Sequence, residues 1–185
     1  MISVGLFCSA AEGLPAAAQD AAAAFGAGVA QRGWRLVYGG SDRGLMGIAS
    51  RAATAAGGAV LGVMPRGLIQ REQAAARISE LRIVDTLGQR KEMMIAEAGI
   101  FVGLPGGVGT LDELLEVITT FDIGLHAKPT VLCNVDGFWD SFVAMVRAFG
   151  AYGVLRPGIA RSFALAADVD ATLAAIAAHA KACAA

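Results

Sequence analysis

The residues from Pro105 to Glu113, reading Pro-Gly-Gly-Val-Gly-Thr-Leu-Asp-Glu, join three clustered glycines to the opening of an amphipathic segment. Glycines let a backbone approach a ligand closely, and a helix start points unpaired N–H groups and the positive end of its dipole at whatever sits there. That combination suits a phosphate, and Gly106, Gly107 and Gly109 exceed what a plain turn requires. No Lys-Ser or Lys-Thr follows them, so the turn is not a Walker loop. Glu113 admits two readings. Thr110-Leu111-Asp112-Glu113 has capping-box spacing, in which the carboxylate merely closes the helix end. Alternatively, a carboxylate one turn from a phosphate cradle lies near the sugar of a nucleotide, where it could stabilise cationic character at C1′.

Arg90 and Lys91 form a second candidate pair. Both fall in the first turn of an expected helix, where a cation opposes the macrodipole. An anionic ligand at the same place would compensate. The rival is two solvated surface cations, at a cost of roughly a few tenths of a kcal/mol. Gly39-Gly40 and Gly44-Leu45-Met46-Gly47 again place small residues after a strand and into a helix. The first turn, Phe7 to Gly13, lacks Gly-x-Gly-x-x-Gly, which disfavours a hydride-transfer enzyme. His126 and His179, the only histidines, are too separated to suggest a metal site or a Ser-His-Asp arrangement, and His126 reads as a loop residue. Met93, Met94 and Leu45-Met46 read as core.

Short apolar runs alternate with longer amphipathic segments, the pattern of βα units around a parallel sheet. The expected fold is therefore α/β, a Rossmann-like doubly wound parallel sheet with helices on both faces. Strands are expected over Ile2 to Cys8, Arg35 to Tyr38, Ala59 to Met64, Leu81 to Val84, Ile100 to Leu104, Thr130 to Asn134 and Phe163 to Ala166. A helix over Leu87 to Ala98 opens with Thr86 and Gln89 in capping-box register and stops at Gly99. From Thr110, the positions Leu111, Leu114, Leu115 and Ile118 make a core-facing stripe. Pro65 to Ser79 reads as either a flap or a short helix, and Asp168 or Asp170 caps the final helix. Ligands bind at the carboxyl ends of such strands. Five decorated turns share that edge by topology: Ser9 to Gly13, Gly39 to Gly44, the stretch from Pro65-Arg66, Thr86 to Lys91, and Pro105 to Glu113.

At 185 residues with 56% apolar content the chain reads as a single nucleotide-binding domain over 1–185. A net charge of -1 supplies no footprint for nucleic acid or an acidic membrane. The opening Met1 to Phe7 lacks the basic n-region of a signal peptide, and no apolar run is long enough to span a bilayer. Cys8, Cys133 and Cys183 are odd in number without metal-ligand or CxxC spacing, which suits reduced thiols in a cytoplasm, two of them as core filler. The mean hydropathy of +0.58 is compatible with an apolar face buried against a second subunit. Alanine enrichment, nine of the residues from Ala171 to Ala185, is the alternative source.

The motif Pro105 to Glu113, with Arg90-Lys91 before it and Tyr38-Gly39-Gly40 followed by Gly44-Leu45-Met46-Gly47, resembles the LOG family of cytokinin riboside 5′-monophosphate phosphoribohydrolases, often mislabelled lysine decarboxylases. The resemblance runs from Ile2 to about Val154. It implies a Rossmann-like homodimer that hydrolyses the N-glycosidic bond of AMP or N6-substituted AMP to free base and ribose 5-phosphate, with no metal or redox cofactor. By position, Arg90 and Glu113 match the catalytic pair. Lys91, Gly107 to Thr110, Glu72 and Thr119 match nucleotide-binding positions; Gly106, Val108, Gly109, Leu111 and Asp112 complete the motif, and Ser9, Gly39, Gly40 and Met94 are further candidates. Ser41 stands where a third glycine is usual, and Leu87-Gly88 replaces the common Met-His. Pyridoxal chemistry would need a Schiff-base lysine, and only Lys91, Lys128 and Lys181 exist. Molybdenum-cofactor carriers resemble the glycine motif too and hold a phosphorylated ligand uncleaved; Arg90 with Glu113 favours the enzyme.

Overall fold

The computed structural model describes residues 1–156 and 158–184; the side chains of residues 160, 183 and 184 lie outside the description, and with them the reading of Cys183. Seven strands run parallel in the order β4-β3-β2-β1-β5-β6-β7: β1 (Ser3–Phe7), β2 (Arg35–Tyr38), β3 (Val60–Pro65), β4 (Glu80–Val84), β5 (Ile100–Gly103), β6 (Thr130–Cys133) and β7 (Phe163–Ala166). The central strands are buried along nearly their whole length, as strands covered on both faces must be.

Alternation along the strands sends side chains into two cores. Val4 and Leu6 join Phe25 of α1 (Ala16–Gln31), Leu45 of α2 (Gly44–Ala55) and Leu173 of α7 (Val169–Ala184). On the other face Phe7, Val37 and Leu61 meet Met94 of α3 (Leu87–Glu97), Leu114 of α4 (Val108–Asp122) and Phe142 of α5 (Asp140–Tyr152). Met94 is thus core, as its type suggests.

The boundaries follow from local chemistry. Gln89 N–H donates to Thr86 Oγ1 at 3.1 Å and Thr86 N–H donates to Gln89 Oε1 at 3.3 Å, so the expected capping box opens α3. Asp168 caps α7, its carboxylate accepting from Ala171 N–H at 2.8 Å. Of Pro65 to Ser79, Pro65 closes β3, a single 3₁₀ turn follows at Arg66–Leu68, and the rest is irregular chain tied back by an antiparallel bridge between Ser41 and Ala74. Among the described residues no helix is long and apolar enough to cross a membrane.

The strand order sets where a ligand can enter. From β1 the chain steps outward to β4, returns through α3 to lay β5 on the other side of β1, and then continues outward to β7. Neighbouring connections therefore diverge between β1 and β5, which opens a crevice at their carboxyl ends.

Candidate functional site

At that switch point the two loops are fastened together: Ser9 N–H donates to the Pro105 carbonyl at 3.1 Å and Leu104 N–H to the Phe7 carbonyl at 3.0 Å. Gly107 is the N-cap of α4, with no side chain capping it, and the first turn closes when Leu111 N–H donates to Gly107 at 3.0 Å. The opening N–H groups of α4 are left without helical partners, facing the crevice with the positive end of the dipole. Because α4 begins at Val108, Thr110 lies inside it and is not its cap. The capping-box reading of Glu113 is therefore corrected: its spacing from Thr110 closes no helix end. Thr110 packs back on Gly106, where a Cβ would lie 2.1 Å from the Thr110 hydroxyl. At Gly107 and Gly109 a Cβ would meet no protein atom within 4 Å.

These residues line a cavity of about 440 Å³, in the range of small-molecule sites. It draws on several elements at this edge: Ser9 after β1, Met46 of α2, Glu72 after β3, Arg90 and Lys91 of α3, Gly107 at the N-cap of α4, and Gly109, Thr110, Asp112 and Glu113 within α4. Val108 is exposed at the mouth of the turn, Leu111 packs on the core beneath it, and Thr119 is exposed farther along α4, outside the cavity. Cys8, Ala10, Leu68, Arg71 and Leu87 also line it. The turns that hold Ala10, Leu68, Arg71 and Leu87 were expected at this edge without these residues being singled out, and Cys8, 1% exposed, read as core filler because a buried thiol carries no local mark of a site.

Arg90 is 5% exposed and lies over Gly39, where a Cβ would fall 1.5 Å from its Nη2. Only glycine admits the guanidinium at that point. Nη2 is 3.9 Å from the Met46 sulfur and 4.0 Å from Glu72 Oε2. Both Arg90 Nε and Glu72 Oε2 are buried without a hydrogen-bond partner, an arrangement that an unsatisfied site leaves open for a ligand. Gly40, with φ +78°, turns the chain just beyond Gly39. Lys91 is no solvated cation: its ammonium meets Asp112 at 3.0 Å and Glu116 at 2.5 Å, which hold its pKa above the usual value. Carboxylates of α4, at least in part, thus supply the compensation that the helix dipole denies it.

Glu113 is 7% exposed. Burial pushes its carboxyl up to about 7; Asp112 and Glu72 add to the rise, and Arg90 and Lys91 oppose it. The neighbouring Cys8 thiol is raised strongly by burial and by Glu113, which keeps it protonated and a poor nucleophile. Among the described residues no group of three or more His, Cys, Asp or Glu is placed to hold a metal.

Fold and site together define a parallel α/β protein with a crevice at its switch point, onto which the N-terminus of α4 opens, and a buried carboxylate and guanidinium within it. The chain belongs to the LOG family; the family model that matches residues 46–176 carries the description "Possible lysine decarboxylase". A probable cytokinin riboside 5′-monophosphate phosphoribohydrolase of Oryza sativa subsp. japonica is 44% identical over 154 residues, covering 83% of this chain and 63% of that protein. A second rice protein, described as a cytokinin riboside 5′-monophosphate phosphoribohydrolase, is 45% identical over 141 residues, covering 76% and 58%. The chain thus spans about three fifths of the length of these two relatives. The molybdenum cofactor binding protein of Rippkaea orientalis superposes with a TM-score of 0.74 over 96% of each chain at 18% identity, which shows the shared fold.

The decarboxylase description does not fit the lysines. Lys91 is engaged by two carboxylates, and Lys128 donates to the Ile95 and Ala96 carbonyls at 2.5 and 3.3 Å. Lys181 lies in the last turn of α7, the end of the helix that neighbours Ser3 and Gly99 at the opposite edge of the sheet. Of the three, Lys91 alone lines the cavity, and there it is held as a paired ammonium, not as the neutral amine that a Schiff base requires.

Proposed function

We propose that this chain hydrolyses the N-glycosidic bond of nucleoside 5′-monophosphates, AMP or N6-substituted AMP, to free base and ribose 5-phosphate. The observation that carries the reading is the buried Glu113 carboxylate, sharing one cavity with Arg90 and the open N-terminus of α4. The family relatives named for this reaction support it. In this reading residues 1–185 are one nucleotide-binding domain, and the cradle from Gly106 through Thr110 takes the 5′-phosphate on its N–H groups.

With the phosphate anchored, the C1′–N bond breaks and its electron pair leaves with the base, which takes up a proton from solvent, to which Glu113 returns one at the end of the turnover. Positive charge grows on the ribose ring, and ionised Glu113 stabilises it in a site with little water to screen the interaction. Water then adds at C1′ and gives its proton to Glu113, a carboxyl whose pKa near 7 suits that exchange. Arg90, with Nε free, balances charge on the phosphate or the departing base, while Lys91 holds Asp112 and the first turns of α4 in place. Glu72 orients Arg90, and exposed Thr119 contributes from outside the cavity. Exposed Met145, Phe149, Tyr152 and Val154 supply an apolar face for a homodimer. Incubation with AMP and with N6-isopentenyl-AMP, followed by chromatography, tests the reading: free base from at least one supports it. Tight binding of both without release would make the protein a carrier of phosphorylated ligands.

A further inference from the structure

The turn between β2 and α2 grips the chain that follows β3. Ser41, fully buried, donates its hydroxyl to the Glu72 carbonyl at 2.6 Å and accepts from Arg43 N–H at 3.2 Å. On either side, Asp42 N–H donates to the Gln73 carbonyl at 2.8 Å and Ala75 N–H to the Gly40 carbonyl at 2.9 Å. Arg43 reaches the Arg71 carbonyl at 3.3 Å while its guanidinium also meets Glu12 at 3.3 Å. Gln73, within this grip, holds a left-handed φ of +50°, a conformation that a non-glycine residue keeps only when its surroundings impose it.

The outcome of the grip is the position of one carboxylate. Glu72 Oε2 is buried, lacks a hydrogen-bond partner and faces Arg90 Nη2 at 4.0 Å. A carboxylate in that state would turn to solvent if its backbone were free to follow. Ser41 holds the backbone of Glu72 itself, the point from which the Glu72 side chain reaches towards Arg90. A glycine at this position would leave the Glu72 carbonyl without that donor.

We propose that Ser41 is a positioning residue, acting through Glu72 to hold Arg90 for the substrate; this rests on the proposed hydrolysis. The groups that act on Glu113 are Arg90 and Lys91 of α3, Asp112 on its own helix and Glu72 of the gripped segment; Cys8 after β1 lines the same cavity as a protonated thiol. Release of Glu72 removes one of the charges that raise the Glu113 carboxyl, so the acid limb of the pH profile moves to lower pH.

Four proteins decide it: wild type, Ser41→Ala, Glu72→Gln and the double variant, with Ser50→Ala as the control. Ser50 is equally buried and its hydroxyl donates to the Gly47 carbonyl within α2, so the control removes a comparable bond unconnected to Glu72. Loss of a buried hydrogen bond that orients a charge predicts a fall in kcat/KM for AMP of roughly 5- to 20-fold in Ser41→Ala. The same substitution in the Glu72→Gln background is expected to change kcat/KM by less than about twofold, because coupled residues are non-additive. Trypsin is expected to cut after Arg71 faster in Ser41→Ala than in wild type or Ser50→Ala. Additive kinetics, an unmoved acid limb, or trypsin cleavage unchanged by Ser41→Ala overturns the proposal. A wild-type protein that releases no adenine from AMP refutes the hydrolysis instead, and the trypsin comparison then decides the grip alone.

Discussion

Glu113→Gln should stabilise the protein while disabling it, and the size of both effects follows from burial. A carboxyl lifted from its ordinary 4.5 to about 7 is one whose ionised form the fold disfavours. At roughly 1.4 kcal/mol per pH unit, the cost to the folded state reaches about 3 kcal/mol once both states are ionised. The sign is set by the raised value. Below about pH 4.5 the group is neutral in both states and costs nothing; the loss accumulates as pH rises and is complete above about 7. Gln cannot ionise, so the stability difference between Glu113→Gln and wild type should grow by about 2–3 kcal/mol from pH 5 to pH 8. Urea unfolding at the two pH values measures it, and comparing the change with pH removes any constant effect of the amide. Loss of the charge aimed at the ribose should lower kcat by roughly 10²- to 10³-fold. A stability difference that stays flat between the two pH values would show that Glu113 is not held in a site hostile to its charge, and the electrostatic reasoning for catalysis would go with it.

The rate itself should rise with pH through about 7 as Glu113 ionises, seen as an acid limb in kcat/KM. Gly109→Ala should leave the unfolding midpoint within a few degrees of wild type, since its Cβ meets no protein atom within 4 Å, yet raise the KM for AMP at least roughly tenfold by filling space meant for the phosphate. Gly39→Ala should displace Arg90, whose Nη2 lies 1.5 Å from the added Cβ, and lower kcat/KM by more than about tenfold in a folded protein, as read by steady-state kinetics and circular dichroism. Thr86→Ala, which dismantles the capping box of α3, should cost about 1 kcal/mol in urea unfolding.

The architecture was legible because its signals are local. Strands such as Arg35–Tyr38 and Phe163–Ala166 are apolar runs bounded by turn chemistry, and the Thr86 to Gln89 box marks a helix start without reference to the rest of the chain. The same rule misleads at Thr110, where capping-box spacing recurs inside a helix whose start was moved to Val108 by the glycine turn. Pro65 to Ser79 was unreadable because its conformation is imposed from afar: the Ser41 bridge and the left-handed Gln73 have no local signature. Arg90 and Lys91, similar in sequence, diverge for tertiary reasons, one buried over Gly39 and the other held by α4.

The most direct test compares AMP with adenosine under identical conditions, following free adenine. Anchoring of the 5′-phosphate at α4 together with ionised Glu113 beside the ribose predicts rapid release from AMP and a kcat/KM for adenosine lower by at least roughly 10³-fold, the loss expected when charge-assisted contacts to phosphate are removed. Equal cleavage of both, or no adenine from AMP, would contradict it.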